Sequence, residues 1–599
     1  MKITFMPDNI TGIAGDEESL LDVAFRLGVN IDGNCAGAGT CGKCKVKILS
    51  GEVDVIKKHG VALSEYEYEN NYRLACCTKA MSDTIVLVPE TNTITSRKER
   101  LLKLPEDFRF GLNVHKKCIS IEKSTLHNQK SIENKIKEGL GNDKLVIDRE
   151  VLKNASEGKE MTFTYMDDYV IDVEEGDKES CNYGLAIDIG TTTVVFMLWN
   201  LFKKELVEIK AVTNPQGVYG ADVISRINKN NEEIEKHLLH KSIINKINEI
   251  IDNFEINNKI NPNNIYKLVA CGNTTMSHFL WDVETKGLAV SPFTPVFCEY
   301  QVSNAKEIGI NINDKATVEL LPNIAGHVGS DITAGILTTD LMDRDKGHLF
   351  IDIGTNGEIV LAGKDCAFTC STAAGPAFEG SSITMGMRAA EGAIEKVVLS
   401  EDGVEIKTIG NGKPVGICGS GIIDAIGQMI KWQIIDKTGK INGTSKLERM
   451  GVEKPLIDRI VKEEKGYSFI LFMDEGGGIV KVTQKDVREV QLAKAAIAAG
   501  METMMSEAKI HKDDLKEISI AGAFGNYIDV ENAINLGLIP DIKRDKIISI
   551  GNSAGIGTSM ALLSKDAMME TIKIAREIKH IELSALSEFQ EKYIKAMMF

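Results

Sequence analysis

A chain of 599 residues is too long for one hydrophobic core, which stops growing at roughly 250–300 residues, so several domains are expected. The net charge of −16 excludes a general nucleic-acid binder, which needs a basic footprint. No stretch approaches the roughly 18 apolar residues of a membrane span. The start, Met1-Lys-Ile-Thr-Phe-Met, also lacks the apolar core of a signal peptide, so the expectation is a cytoplasmic protein with no membrane partner. The twelve cysteines fall into one tight N-terminal group and scattered singles, which suits a reducing compartment.

Residues 1–90 alternate strand and helix patterns. Lys2-Ile-Thr-Phe opens as a strand and Ser19-Leu-Leu-Asp-Val-Ala-Phe-Arg-Leu reads as an amphipathic helix. Cys44-Lys-Val-Lys-Ile-Leu and Thr84-Ile-Val-Leu-Val-Pro close as strands. Between helix and strand lies Cys35-Ala-Gly-Ala-Gly-Thr-Cys41-Gly-Lys-Cys44, answered later by Arg73-Leu-Ala-Cys76-Cys77. Three thiols in a glycine-rich loop, with a fourth from a later turn, suit a [2Fe–2S] cluster. Thiolates bind the iron, and bare backbone N–H groups approach the sulfurs. Structural zinc normally uses paired C-x2-C knuckles, and only Cys41 and Cys44 have that spacing. Gly37 to Gly42 also satisfies G-x-G-x-x-G, and Gly37 to Lys43 nearly makes a P-loop. Cys44 stands where a P-loop needs a hydroxyl on Mg²⁺, so both patterns fail. The segment resembles a β-grasp ferredoxin with the longer first gap of the adrenodoxin-like members. That resemblance makes Cys76 the fourth ligand, because such domains carry Arg-Leu-Ala-Cys before the final strand; Cys77 remains an alternative.

Residues 91–117 include Arg97-Lys-Glu-Arg-Leu-Leu-Lys-Leu-Pro, charged and with little to bury, and read as a linker. Residues 118–180 read as a small α+β middle domain in which Asp172-Val-Glu-Glu-Gly-Asp-Lys-Glu is a solvated loop. From about 181 to 599 one motif occurs twice. Leu185-Ala-Ile-Asp188-Ile-Gly190-Thr191-Thr192-Thr193 and Leu349-Phe-Ile-Asp352-Ile-Gly354-Thr355-Asn356 each read as strand, tight turn, strand. This predicts two halves, about 181–345 and 346–599.

N–H groups after the glycine can form an anion-binding nest with hydroxyls alongside, which suits phosphate. The aspartate must then hold Mg²⁺, through water, since this ion keeps several waters and takes one or two carboxylates. Short glycine loops at Cys271-Gly-Asn273, Gly326-His-Val-Gly329-Ser-Asp331, Ala373-Ala-Gly375-Pro, Gly419-Ser-Gly421 and Ala521-Gly522-Ala-Phe-Gly525 recur where strands end, the places where open α/β sheets put ligands. Asp331 reads better as a helix-start residue than as a catalytic one, and His327 as packing. Glu358 is either a water-polarising group or an outward-facing strand charge. Asp222 and Arg226, one helical turn apart, read as a surface ion pair of little worth.

Taken together, these residues resemble the reductive activators of corrinoid proteins. That family joins a [2Fe–2S] ferredoxin domain, a linker and a small middle domain to an ATPase of the acetate and sugar kinase, heat-shock cognate and actin superfamily. The resemblance runs through the paired Asp-Ile-Gly-Thr loops, Cys271-Gly-Asn-Thr-Thr-Met, residues 521–525 and the ending from Ile581 to Phe599. It implies a β-grasp ferredoxin, an α+β middle domain and a duplicated actin-like domain, with a [2Fe–2S] cluster, ATP and Mg²⁺ as cofactors. Its implied activity is ATP-dependent transfer of one electron to an inactive Co(II) corrinoid on a partner methyltransferase system, restoring Co(I). The partner is then a corrinoid-carrying protein, the electron donor a low-potential protein the sequence does not name, and the assembly a homodimer. Cys35, Cys41, Cys44 and Cys76 would hold the cluster. Asp188 and Asp352 would be catalytic and, with Gly190, Thr191, Thr192, Thr193, Gly354, Thr355 and Asn356, would grip the Mg-nucleotide phosphates. Gly522 and Gly525 fall on the adenosine side. The rival readings are a ferredoxin-fused sugar-kinase-like phosphotransferase and an electron carrier with a regulatory nucleotide-binding domain.

Overall fold

Strict alternation of buried and exposed side chains makes Lys2–Met6 a strand, β1, whose Ile3 and Phe5 enter the first core. With β2 (Ile10–Ile13), β3 (Lys45–Ser50), β4 (Tyr72–Leu74) and β5 (Thr84–Leu87) it forms a sheet of order β2-β1-β5-β3-β4. The central pair β1 and β5 is parallel and the flanking pairs are antiparallel, which is β-grasp topology. Helix α1 (Leu20–Arg26) shares that core through Leu20, Leu21, Val23 and Ala24. The structure, a computed structural model, describes residues 1–6, 9–15, 18–27, 29, 31, 44–56, 63, 65–88, 103–220, 222–232, 237–343, 347–474, 477–522 and 528–599. None of its helices is long and apolar enough to cross a membrane among the described residues.

Strands β6 (Val114–Ser120), β7 (Val146–Ile147), β8 (Glu160–Met166) and β9 (Tyr169–Glu175) form a second sheet of order β6-β8-β9-β7. Helix α2 (Ile132–Leu140) joins its core through Ile136 and Leu140, against Phe163 and Val170. Two expectations change here. Residues 103–112 are not an unpacked linker: Leu104, Phe108 and Leu112 pack on the core that holds Leu562 and Leu563. Gly111 also donates to Leu563 O at 3.0 Å and accepts from Lys565 N at 2.9 Å. Asp172 is no solvated loop residue either. It lies on β9 and accepts from Tyr266 Oη at 2.9 Å and Asn313 Nδ2 at 3.0 Å, tying this sheet to the next unit.

The repeated motif opens two sheets of the same design. The first contains β10 (Tyr183–Ile189), β11 (Thr193–Asn200), β12 (Glu205–Thr213), β13 (Ile265–Gly272), β14 (Gln301–Asn304) and β15 (Thr317–Leu320), in the order β12-β11-β10-β13-β15-β14. The second contains β16 (Gly347–Ile353), β17 (Gly357–Gly363), β18 (Cys366–Thr372), β19 (Leu515–Ala521), β20 (Ile547–Gly551) and β21 (Lys579–His580), in the order β21-β18-β17-β16-β19-β20. In each, an antiparallel three-stranded meander pairs in parallel with a fourth and then a fifth strand. That is the duplicated actin-like architecture.

Four helices position the cleft between the sheets: α3 (Val223–Asn230), α4 (Thr274–Leu280), α5 (Ser330–Leu337) and α6 (Ser553–Leu563). The last two are exchanged. Ile332 and Ile336 of α5 enter a core with Phe350 and Val360 of the second sheet, while Ala554, Ala561 and Leu562 of α6 enter one with Ala186, Val195 and Met197 of the first. The two helices cross almost backbone to backbone, since a Cβ on Gly557 would lie 1.8 Å from Ala334 O.

Candidate active site: a carboxylate-floored cleft and a thiol pocket

Each Asp-Ile-Gly-Thr loop is a hairpin end. Gly190 N donates to Thr193 O at 3.0 Å, and Gly354 N donates to Asn356 O at 2.9 Å. In the first loop the carbonyls are held from behind. Asn214 Nδ2 donates to Gly190 O at 2.8 Å, Arg226 Nη2 to Thr191 O at 2.7 Å, and Asn214 N to Thr192 O at 2.9 Å. Three acceptors are thereby engaged by the scaffold, which favours an anion at the loop's open side. Asn273, the N-cap of α4, donates through Nδ2 to Thr191 Oγ1 at 2.9 Å.

Arg226 corrects the surface ion-pair reading. Its side chain is buried, donates also to Gly220 O, and its guanidinium is pulled down to about 10, mainly by burial. Asp222 instead caps α3 in a capping box with Ser225.

The cleft floor is acidic. Burial, then the charges of Asp352 and Asp188, pushes the Asp331 carboxyl up to about 8. Burial and then Asp188 push Asp352 up to about 7. Glu358 is raised well above the carboxylate range by burial and then by Asp331 and Asp352. The aspartates of the two loops are therefore close enough to repel one another. Asp331, expected to be a helix-start residue, belongs to this cluster: it lies in the first turn of α5 behind the N-cap Gly329. Glu358 pairs with Asp352 across the hairpin and accepts from Ser371 Oγ at 3.2 Å, so it faces the cleft rather than bulk solvent.

Gly522, at φ +96, lies against Asp352, and a Cβ there would sit 2.7 Å from Asp352 Oδ1. Gly525 lies outside the described residues, as do Cys35 and Cys41. His327 packs edge to face on Phe293 at 4.8 Å. Sequence reading missed Asn214, and it missed Glu379, whose carboxylate meets both loops. The local signals were Asn214-Pro215, a turn start, and the glycines flanking Glu379 at 375 and 380.

The second site is thiol-lined. Cys44 precedes β3, and Cys76 sits in the 3-10 turn Ala75–Cys77; both are buried, with sulfurs 3.3 Å apart. That is within the span of two ligands on one tetrahedral iron. Cys77 Sγ lies 3.6 Å from Cys76 Sγ. Ala75 N donates to Cys44 O at 2.8 Å, so backbone pairing fixes the approach of these two segments. The donor set fits an iron–sulfur cluster.

The C-terminal domain of RACo, described as the ASKHA domain, matches residues 346–599, the RACo middle region matches 183–344, and the 2Fe-2S iron-sulfur cluster binding domain matches 6–81. The corrinoid activation enzyme RamQ of Eubacterium limosum is 34% identical over 604 residues, covering 97% of this chain and 96% of the relative. The chain belongs to the reductive activators of corrinoid proteins. A solved reductive activator for corrinoid, iron-sulfur protein superposes on the activator with a TM-score of 0.74 at 34% identity, over 100% of this chain and 98% of that one. The [Co(II) methylated amine-specific corrinoid protein] reductase of Methanosarcina barkeri is 26% identical over 459 residues, 69% of the activator and 76% of the relative. The activator thus carries a [2Fe–2S] ferredoxin domain at its N-terminus and an actin-like ATPase domain at its C-terminus.

Proposed function

We propose that this protein uses ATP to return the Co(II) corrinoid of a partner protein to Co(I), one electron at a time. The relatives' activities motivate the reaction. The observation that carries it is that the two Asp-Ile-Gly-Thr loops face one another closely enough for Glu379 to accept from Thr192 of one and Thr355 of the other, in a chain that also pairs Cys44 with Cys76. Cys35, Cys41, Cys44 and Cys76 would hold the cluster, which when bound supplies a single electron at about −400 mV.

Asp188 and Asp352 would hold Mg²⁺, and the loops Gly190–Thr193 and Gly354–Asn356 would hold the phosphates, the ion supplying charge neutralisation there. Gly522 and Gly525 border the nucleotide. Burial, and after it the charge of neighbouring carboxylates, Asp188 in both cases, raises both Asp352 and Asp331, so a divalent cation bound at this cluster would relieve a like-charge conflict built into the fold. Closing the cleft on ATP moves one sheet against the other about the crossed helices α5 and α6, and differential binding of the partner to the two nucleotide states drives the uphill transfer. Each 100 mV of uphill transfer requires about 2.3 kcal/mol per electron.

The same proposal includes a division into 1–90, a connecting segment 91–113 docked on the body from residue 103, a middle unit that begins with β6 at Val114 rather than at 118 and ends at 180, and 181–599. It also includes a cytoplasmic homodimer and a separate low-potential electron donor. The test mixes the reduced protein with a Co(II) corrinoid protein and follows Co(I) absorbance. Signal is expected with ATP, and not with a non-hydrolysable analogue or with Asp188→Ala. Equal cobalt reduction in all mixtures sinks the coupling.

A further inference from the structure

The turn after β18 places a carboxylate between the two loops. Thr192 Oγ1 donates to Glu379 Oε2 at 3.4 Å, and Thr355 Oγ1 donates to Glu379 Oε1 at 2.5 Å. One hydroxyl comes from each half of the ATPase domain. The carboxylate is held there by a tight turn: Glu379 N donates to Pro376 O at 3.1 Å and Gly380 N to Ala377 O at 3.0 Å. Gly380 has φ +76, and a Cβ on Gly386 would lie 2.1 Å from Gly380 O, so the two ends of segment 380–386 touch. Arg226, buried behind the first loop, attracts Glu379 electrostatically. An anionic group therefore accepts hydrogen bonds from hydroxyls of both loops, with a guanidinium behind, which is the set of interactions a nucleotide phosphate would make.

A hydroxyl has one hydrogen and cannot give it fully to a carboxylate and a phosphate at once. The two acceptors also carry the same sign of charge, so they exclude one another. We infer that Glu379 stands in the place of a phosphate when the cleft is empty, and that ATP must displace it to bind. This rests on the nucleotide reading above. The empty protein is then latched across its own cleft, and the presence of phosphate is reported to the segment 376–388 by expulsion of its glutamate. The latch lowers ATP affinity by the fraction of molecules in which it is made.

The test uses calorimetry of the full-length protein with Mg²⁺ and a non-hydrolysable ATP analogue, with ATP hydrolysis measured alongside. Glu379→Gln keeps the shape and removes the charge; Glu379→Ala removes the acceptor as well. Both are expected to bind the analogue about tenfold tighter than wild type, the effect of removing a competing state populated at roughly 90%. Equal or weaker binding in both variants overturns the inference and leaves the ATPase reading intact. So does unchanged affinity with hydrolysis lost, which would assign Glu379 to the attacking water. If wild type itself binds no analogue, the ATPase reading falls and the inference with it. Should the variants fold poorly, hydrogen exchange of wild type decides: exchange across 376–388 is expected to change when the analogue binds, and unchanged exchange overturns the latch.

Discussion

In the first half β10 is closed by the pair Ile189–Val194, so Asp188 faces Val195; in the second β16 is closed by Ile353–Gly357, so Asp352 faces Glu358. The first closing pair encloses four residues and the second three. Around the first loop stand amide and guanidinium donors, Asn214, Arg226 and Asn273. Beside the second stands the carboxylate of Glu358, opposite Asp352, while Glu379 accepts from a hydroxyl of each loop. Strand order was kept through the duplication while the surroundings diverged: amide and guanidinium donors back the first loop, and a second carboxylate lies across the hairpin from the second aspartate.

The comparison breaks most sharply on its aspartates. Asp188→Asn and Asp352→Asn are each expected to lower ATP hydrolysis about 100-fold or more, the scale on which charge-stabilising groups act. Steady-state phosphate release measures it. If either variant keeps the wild-type rate, that copy does not hold the metal.

Next in size is the helix crossing that joins the halves. Gly557→Val places carbon atoms where Ala334 O already lies, and overpacking of this kind costs about 3 kcal/mol. Urea unfolding measures it, and a midpoint equal to wild type would show that the helices separate freely.

A comparable effect separates the halves by pH. His278 on α4 is buried, stacks on Phe297 at 4.4 Å, donates from Nδ1 to Thr274 O and accepts from Val296 N at Nε2. Burial pulls its ring down to about 4, below the ordinary value of 6.5. A histidine whose folded pKa is depressed stabilises the fold above its unfolded pKa and loses that contribution as pH falls. The first half is therefore expected to lose on the order of 3 kcal/mol between pH 6.5 and 4. His278→Gln should flatten the pH dependence of the urea midpoint across that window; an unaltered slope would place the acid lability elsewhere.

The repeated loops were visible in the sequence because strand, aspartate and glycine are contiguous, and a contiguous pattern carries its own register. The β-grasp strands were readable for the same reason. What surrounds the loops was not. Asn214, Arg226 and Glu379 reach Gly190, Thr191 and Thr192 from 24, 35 and 187 residues away, separations at which no local period operates. The spacing of Asp222 and Arg226 suggested a surface pair, but the aspartate is engaged by the helix end it caps, which frees the arginine to turn inward. Asp331 was obscured in the same way, since a first-turn acid needs no function to explain it until the fold brings Asp352 and Asp188 near. Residues 103–112 looked like linker because Pro105 and Gly111 interrupt the four-residue spacing of Leu104, Phe108 and Leu112, and only docking on Leu562 and Leu563 gives them a core.

The smallest predicted effect bears most directly on how the two hydroxyls differ. Met276 N donates to Asn273 Oδ1 at 3.0 Å, which fixes the amide orientation and leaves Nδ2 to donate to Thr191 Oγ1. Thr191 is thus an acceptor toward the protein, with its own hydrogen available to a phosphate, whereas Thr355 gives its hydrogen to Glu379. Asn273→Ser keeps an oxygen to cap α4 but removes the donor. Fold stability should stay within about 0.5 kcal/mol of wild type, while nucleotide affinity falls roughly fivefold, the loss of one net hydrogen bond near 1 kcal/mol. Calorimetry beside thermal unfolding separates the two. A weaker fold with unchanged affinity would make Asn273 a cap and nothing more, and the first loop would then owe its anion preference to Arg226 and Asn214 alone.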